Sequence, residues 1–192
     1  MTKQTRNPQE TQRKILVAAL EEFSANGFHG ARIDRIVKNA GVNKRMVYHY
    51  FNDKEGLFKA LMQSELKKIK EVEDDEPTDS LFEISNHWLS NSDKTKDYFR
   101  LYLSAETLIN NGEITVDEEH QDTFSAAFET YKELLKGHDV DPRYFLLAMV
   151  SITSMPVVLP QMAKYVTGGQ SGSKEFQEEY KKVLSFLLEN KP

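Results

Sequence analysis

The residues with the most pointed chemistry are Lys44, Arg45, Tyr48 and His49. They fall in the run Ile36-Val-Lys-Asn-Ala-Gly-Val-Asn-Lys-Arg-Met-Val-Tyr-His-Tyr-Phe51. Cationic donors interleaved with aromatic groups suit the base edges and phosphates of a duplex. An arginine at such a place reads guanine through two bonds or holds a phosphate. On a helix starting after Asn43, these four side chains project outward, while Val42, Val47 and Tyr50 lock the helix onto its neighbours. Asn43 is a good cap for that helix. Gly41 supplies a backbone conformation that a side chain hinders, and Ala40 lets two short helices approach. Two short helices around a glycine-containing turn have the layout of a helix-turn-helix.

The elements that must hold this motif are also helical. Asn7-Pro8-Gln9-Glu10 combines a cap, a first-turn proline and an acidic residue suited to a capping box. Ile15, Leu16, Ala19, Leu20 and Phe23 make a buried stripe, and Gly27 is a natural stop. A short helix is predicted over 33–40, a third ends near Phe51, and Asn52-Asp53 cap a fourth from Lys54 through about Lys70. The acidic run from Glu71 to Pro77 reads as a solvated linker. Five further helices are predicted near 79–91, 94–110, 115–136, 141–165 and 173–190. No segment shows sustained alternation and nothing repeats at a fixed period, so the fold class is all-α, with about nine helices.

Charge divides the chain in the same place. Of the formal net charge of −5, residues 1–68 carry +6 and residues 69–192 carry −11. The basic part can meet phosphates, and the acidic remainder is repelled by them. Cysteine is absent, which excludes a disulfide framework, a zinc ribbon and a thiol nucleophile. The five histidines have no metal-ligand spacing, so neither a metal nor a cofactor is expected. Nucleophile elbow, phosphate loop and metal signature are all missing, and the expectation is a protein that is not an enzyme. The N-terminal residues lack an apolar segment, which favours a cytoplasmic location. Tyr144 to Ala163 hold no charge over 20 positions. Ser151, Thr153, Ser154 and Gln161 dilute that stretch and Pro156 and Pro160 interrupt it, so a buried core or interface helix fits better than a membrane span.

The N-terminal pattern resembles that of the TetR family of transcriptional regulators. The family runs roughly Ile-Ala-x-x-Ala-Gly-Val-Ser, four variable residues, then Tyr-x-Tyr-Phe-x-x-Lys-x-x-Leu. This chain has Ile36, Ala40, Gly41, Val42, Tyr48, Tyr50, Phe51, Lys54 and Leu57 in that register, preceded by Phe23 and the Gly27-Phe28 turn. The match covers about a quarter of the chain. It implies a helix-turn-helix domain over 1–52, a connecting helix and linker over 53–76, and a ligand-binding and dimerisation domain over 77–192. The implied DNA contacts are Arg32, Asn43, Lys44, Arg45, Tyr48, His49 and Lys54, with Lys54 clamping the backbone from the fourth helix. Arg32 departs from the family's usual Thr or Ser, which caps the second helix. An arginine cannot accept that hydrogen bond but can donate to phosphate.

The resemblance also implies a homodimer, made through the last two long helices. The sequence supports it: Phe176, Tyr180, Val183, Leu184 and Leu187 line one side of an amphipathic C-terminal segment. For the ligand site, candidate lining residues are Trp88, Tyr102, Phe128, Tyr131, Met149, Met155 and Met162, with Glu106 inside an apolar arc. Pro156 and Pro160 each free a carbonyl one turn earlier. The reading is a homodimeric repressor released from a palindromic, double-stranded operator by a small hydrophobic or cationic effector, with no membrane association. The alternative is an activator, or a DNA-binding module controlled by a protein partner.

Overall fold

The computed structural model describes residues 7–76, 80–115 and 124–189. Within these lie ten helices and, among the described residues, no strand. The chain forms two compact units. The first comprises residues 1–65 and 100–117, the second 66–99 and 118–192.

In the first unit, α1 (Pro8–Gly30), α2 (Ile33–Ala40) and α3 (Lys44–Phe51) precede the start of α4 (Lys54–Asp74). Asn7 caps α1 by accepting from the Gln9 N–H. Gly27 interrupts α1 at φ 64°, ψ 178°. Gly41 ends α2 in the left-handed region at φ 65°, ψ 34°. Both are glycines because an L side chain is strained there. Ile15, Phe23, Ile36, Val47, Leu57 and Phe58 are fully buried together. The Phe58 ring meets Phe23 edge-on at 5.0 Å and Phe28 at 5.4 Å. Such pairs add about 0.5–1.5 kcal/mol each beyond area burial. The later part of α6 (Ser92–Asn110) also belongs to this unit.

The second unit holds the end of α4, α5 (Leu81–Ser90), the start of α6, α7 (Ser125–Leu134), α8 (Pro142–Val158), α9 (Pro160–Thr167) and α10 (Lys174–Glu189). Its core is Ile84, Ala127, Tyr131 and Met149, with Leu81, Trp88, Phe145, Ile152 and Leu188 packed around it.

Three features differ from expectation. The acidic run is helical through Asp74 rather than a linker, because Val72 is buried and anchors the last turn of α4. Pro77, the first residues of the helix expected near 79, and residues 116–123 of the one expected over 115–136 lie outside the described residues. The single helix expected over 141–165 is two, α8 and α9, meeting at Leu159 with a 90° bend. Pro160 starts α9, where its missing N–H costs nothing. Pro156 stays inside α8, and the Ile152 carbonyl it frees accepts the Tyr180 hydroxyl at 2.9 Å. No single helix among the described residues is long and apolar enough to cross a membrane.

Candidate nucleic-acid interface and internal cavity

The recognition surface is built on α3. Asn43 caps it, accepting from the Arg45 N–H at 2.9 Å. Val47 and Phe51 anchor its inner side, with Val42 and Tyr50 half-buried. Lys44, Arg45, Tyr48 and His49 are all exposed, Tyr48 at 46%. An aromatic ring that large, so uncovered on an eight-residue helix, contributes nothing to the core and is available to a partner. Lys44 pairs with Asp34 across the turn at 2.8 Å, which holds its ammonium above the usual lysine range. That pair is exposed, so a phosphate can compete for the lysine at small cost.

Arg32 is exposed at the N-cap of α2 and makes no side-chain cap bond. The Arg35 N–H goes instead to the Arg32 carbonyl at 3.0 Å, and Glu22 secures the corner. Its buried carboxylate takes the Arg32 N–H at 2.9 Å and the Arg35 Nε at 2.9 Å. Lys54 donates to the His29 carbonyl at 3.2 Å and lies 4.9 Å above the Phe28 ring. Partial burial pulls its ammonium below the usual range. One of its three protons is thus committed to fastening α4 to the end of α1, and the others remain for a phosphate.

In the second unit, a cavity of about 20 Å³ lies between α5, α6, α7 and α8, room for roughly one water. Of the candidate ligand residues, Trp88, Tyr131 and Met149 line it, joined by Thr95, Phe99, Phe124, Ala127, Leu146, Val150, Thr153 and Ser154. Tyr102, Glu106, Phe128, Met155 and Met162 are not among its lining residues. Glu106 is exposed and accepts from Asn110. Phe128 is half-buried under Lys132, and Met155 and Met162 face solvent. Periodicity places residues on a face but not opposite a particular neighbour, which is why Thr95 and Phe99 carried no signal.

Two carboxylates at the end of α4 reach this wall from behind. Glu76 accepts the Trp88 indole N–H at 2.6 Å, and Glu73 accepts the Ala127 N–H at 3.1 Å in the first turn of α7. Burial raises both carboxyls above the usual range.

The C-terminal helix is turned from its expected orientation. Phe176 and Leu184 are buried within the protomer, and Tyr180 stacks on Phe176 and bonds to α8. Val183, Phe186 and Leu187 face outward, with Leu187 at 53% exposure. Tyr144, Leu147 and Met155 of α8 are likewise exposed. Among the described residues, no cluster of three or more potential metal ligands occurs.

Residues 15–61 match the family model of bacterial regulatory proteins of the tetR family. The chain is 29% identical over 196 residues to the HTH-type transcriptional repressor SCO4008 of Streptomyces coelicolor, covering 96% of this chain and 98% of that protein. It is 41% identical over 61 residues to the HTH-type transcriptional regulator RutR of Escherichia coli, a match covering 32% of this chain and 29% of RutR. Among solved structures, the transcriptional regulator SCO4942 of Streptomyces coelicolor superposes with a TM-score of 0.72 at 20% identity, over 93% of this chain and 98% of that one. The regulator FadR of Bacillus subtilis, solved with stearoyl-CoA, superposes with a TM-score of 0.59 at 19% identity, over 92% and 97%.

Proposed function

We propose, from the match of residues 15–61 to the tetR family of bacterial regulatory proteins, that the chain is a homodimeric repressor that leaves a palindromic operator when a small molecule fills the cavity of its second unit. The observation that carries the reading is the helix α3: capped by Asn43, pinned by buried Val47, and presenting Lys44, Arg45, Tyr48 and His49 to solvent. A dimer places two such helices about 34–36 Å apart, one turn of duplex, so that a palindrome is read twice. The outward apolar residues of α8 and α10 are the surface that supports self-association. The cavity has room for roughly one water, so a larger ligand favours a state with its walls displaced. Release follows if that state holds DNA less well, and operator DNA must then weaken ligand binding by the same factor.

The test is operator affinity in variants. Arg45→Ala and Tyr48→Ala each weaken specific binding by about 1–3 kcal/mol if they touch bases, and relax the preference at the base pairs they read. Lys54→Ala weakens all sequences alike and lowers the salt slope by about one. Unchanged affinity in both the Tyr48 and Lys54 variants would remove the basis for this interface.

A further inference from the structure

Resting on the reading of α3 as the DNA-contacting helix, we propose that Asp34 is a specificity-determining residue: it holds Lys44 in an ion pair and so withholds that ammonium from the phosphates of unselected DNA. The sequence makes Asp34 an anomaly. Between Glu22 and Asp53 it is the only acidic residue, in company with Arg32, Arg35, Lys38, Lys44 and Arg45. A surface that gathers cations to meet a polyanion loses affinity by carrying an exposed carboxylate. Asp34 nonetheless carries one there. Its side chain is 76% exposed, and its Oδ1 lies 2.8 Å from the Nζ of Lys44.

Local structure accounts for only part of this. Asp34 stands in the first turn of α2, where a carboxylate suits the helix dipole. That role needs no partner on α3. Lys44 is the first residue of α3, at the end where an ammonium is unfavourable, and no acidic residue in the first turn of α3 offsets it. Asp34 supplies the offsetting charge from across the turn. Arg45, the next residue, has no carboxylate partner among the described residues. Of two adjacent cations, one is restrained and the other is free.

The restraint acts differently on two kinds of complex. Unselected DNA is held by phosphate contacts, in registers that shift to suit each cation. To join them Lys44 must leave Asp34, and the carboxylate left behind repels the same phosphates. On a selected site, base contacts fix the register, so a freed ammonium gains less. Asp34 thus lowers affinity most where sequence is not read, and that difference is specificity.

The experiment measures binding of the full-length protein to two duplexes over a range of salt. One has random sequence, and the other is selected by the wild type from a random library. Asp34→Asn keeps the shape of an exposed side chain and removes its charge. It is expected to bind the random duplex about twofold to fivefold tighter, the range of an exposed ion pair. The salt slope should steepen by about 0.9 as one more phosphate is neutralised. The gain on the selected duplex should be smaller, so the ratio of the two affinities falls. In a Lys44→Ala background, Asp34→Asn should raise random-duplex affinity less than it does in the wild type. An equal gain with and without Lys44 overturns the proposal, because Asp34 then acts as a diffuse charge. Equal gains on both duplexes overturn it too, since nothing then favours the selected site. So does unchanged or weaker binding of the random duplex, the result expected if Asp34 serves only to start α2. A wild type that selects no duplex overturns the reading of α3 and this proposal with it. A wild type that selects one, matched in every respect by the Asp34 variant, overturns this proposal alone.

Discussion

A buried and a half-buried carboxylate show how a single side chain sets local structure here. Glu22 fastens the start of α2, taking the N–H of residue 32 and the guanidinium of Arg35 together. The missing cap was legible at Arg32, but this anchor lies ten positions upstream and exists only once α1 packs on α2. Glu76 is the opposite case, a charge that folding tolerates rather than uses. Burial raises its carboxyl, the Trp88 bond opposes that rise, and Glu73 adds to it. A group that holds its proton more tightly folded than unfolded contributes stability in acid and loses it as pH rises through the folded value. As pH rises above the usual carboxylate range, Glu76 therefore lowers the stability of the fold relative to its value in acid. Glu76→Gln keeps an acceptor for the indole and removes the charge. Its melting temperature should exceed the wild type's at pH 7, and the gap should close in acid, below the usual carboxylate range. Calorimetry at both pH values decides, and a gap that persists in acid or has the reverse sign refutes the argument.

At the scale of elements, the helix-turn-helix was almost wholly legible, because its boundaries are marked by residues with local reasons to be there: Asn7, Gly27, Gly41, Asn43 and Asp53. The junction from α3 to α4 depends on a residue that no local rule flagged. A Cβ added at Gly56 would collide with the Phe51 carbonyl oxygen, which is backbone and cannot swing aside. The Gly56 N–H also donates to the Asp53 carboxylate at 2.7 Å, which begins α4 and fixes the backbone here. Gly56→Ala should cost about 1–3 kcal/mol, the usual penalty of overpacking, and lower operator affinity by tilting α3. Urea unfolding and operator titration of the same sample check both parts, and a variant as stable as the wild type would show that the junction yields. The break between α8 and α9 was half legible. Two prolines announced a disturbance, but which of them ends the helix was settled by Tyr180, which satisfies the carbonyl freed by Pro156 and lets α8 continue past it. The acidic run misled because charge density says nothing of the one buried valine beside it.

For the whole molecule, the division of charge into +6 and −11 is legible from the sequence because it depends on composition and not on packing. It predicts an affinity for DNA that falls steeply with salt. The proposed self-association surface was legible only as an amphipathic helix. Its two apolar sides were not separable by sequence, and the structure assigns Phe176 and Leu184 to the protomer's own core and Leu187 to the outside. Leu187→Glu changes an exposed position, so the fold should stay within about 0.5 kcal/mol of the wild type, while a dimer through this face becomes a monomer with weakened operator binding. Sedimentation gives the answer, and an unchanged dimer mass excludes this face. The helix α8 adds a constraint on any such measurement. It turns Met149, Val150 and Thr153 toward the cavity and Tyr144 and Leu147 toward solvent. In the proposed homodimer this one rod is wall to the effector site and surface to the partner, which makes the two equilibria thermodynamically linked. An effector that displaces α8 will thus show a half-saturation point that drifts with protein concentration, and its dose–response curve in a cell will depend on how many copies of the regulator that cell contains.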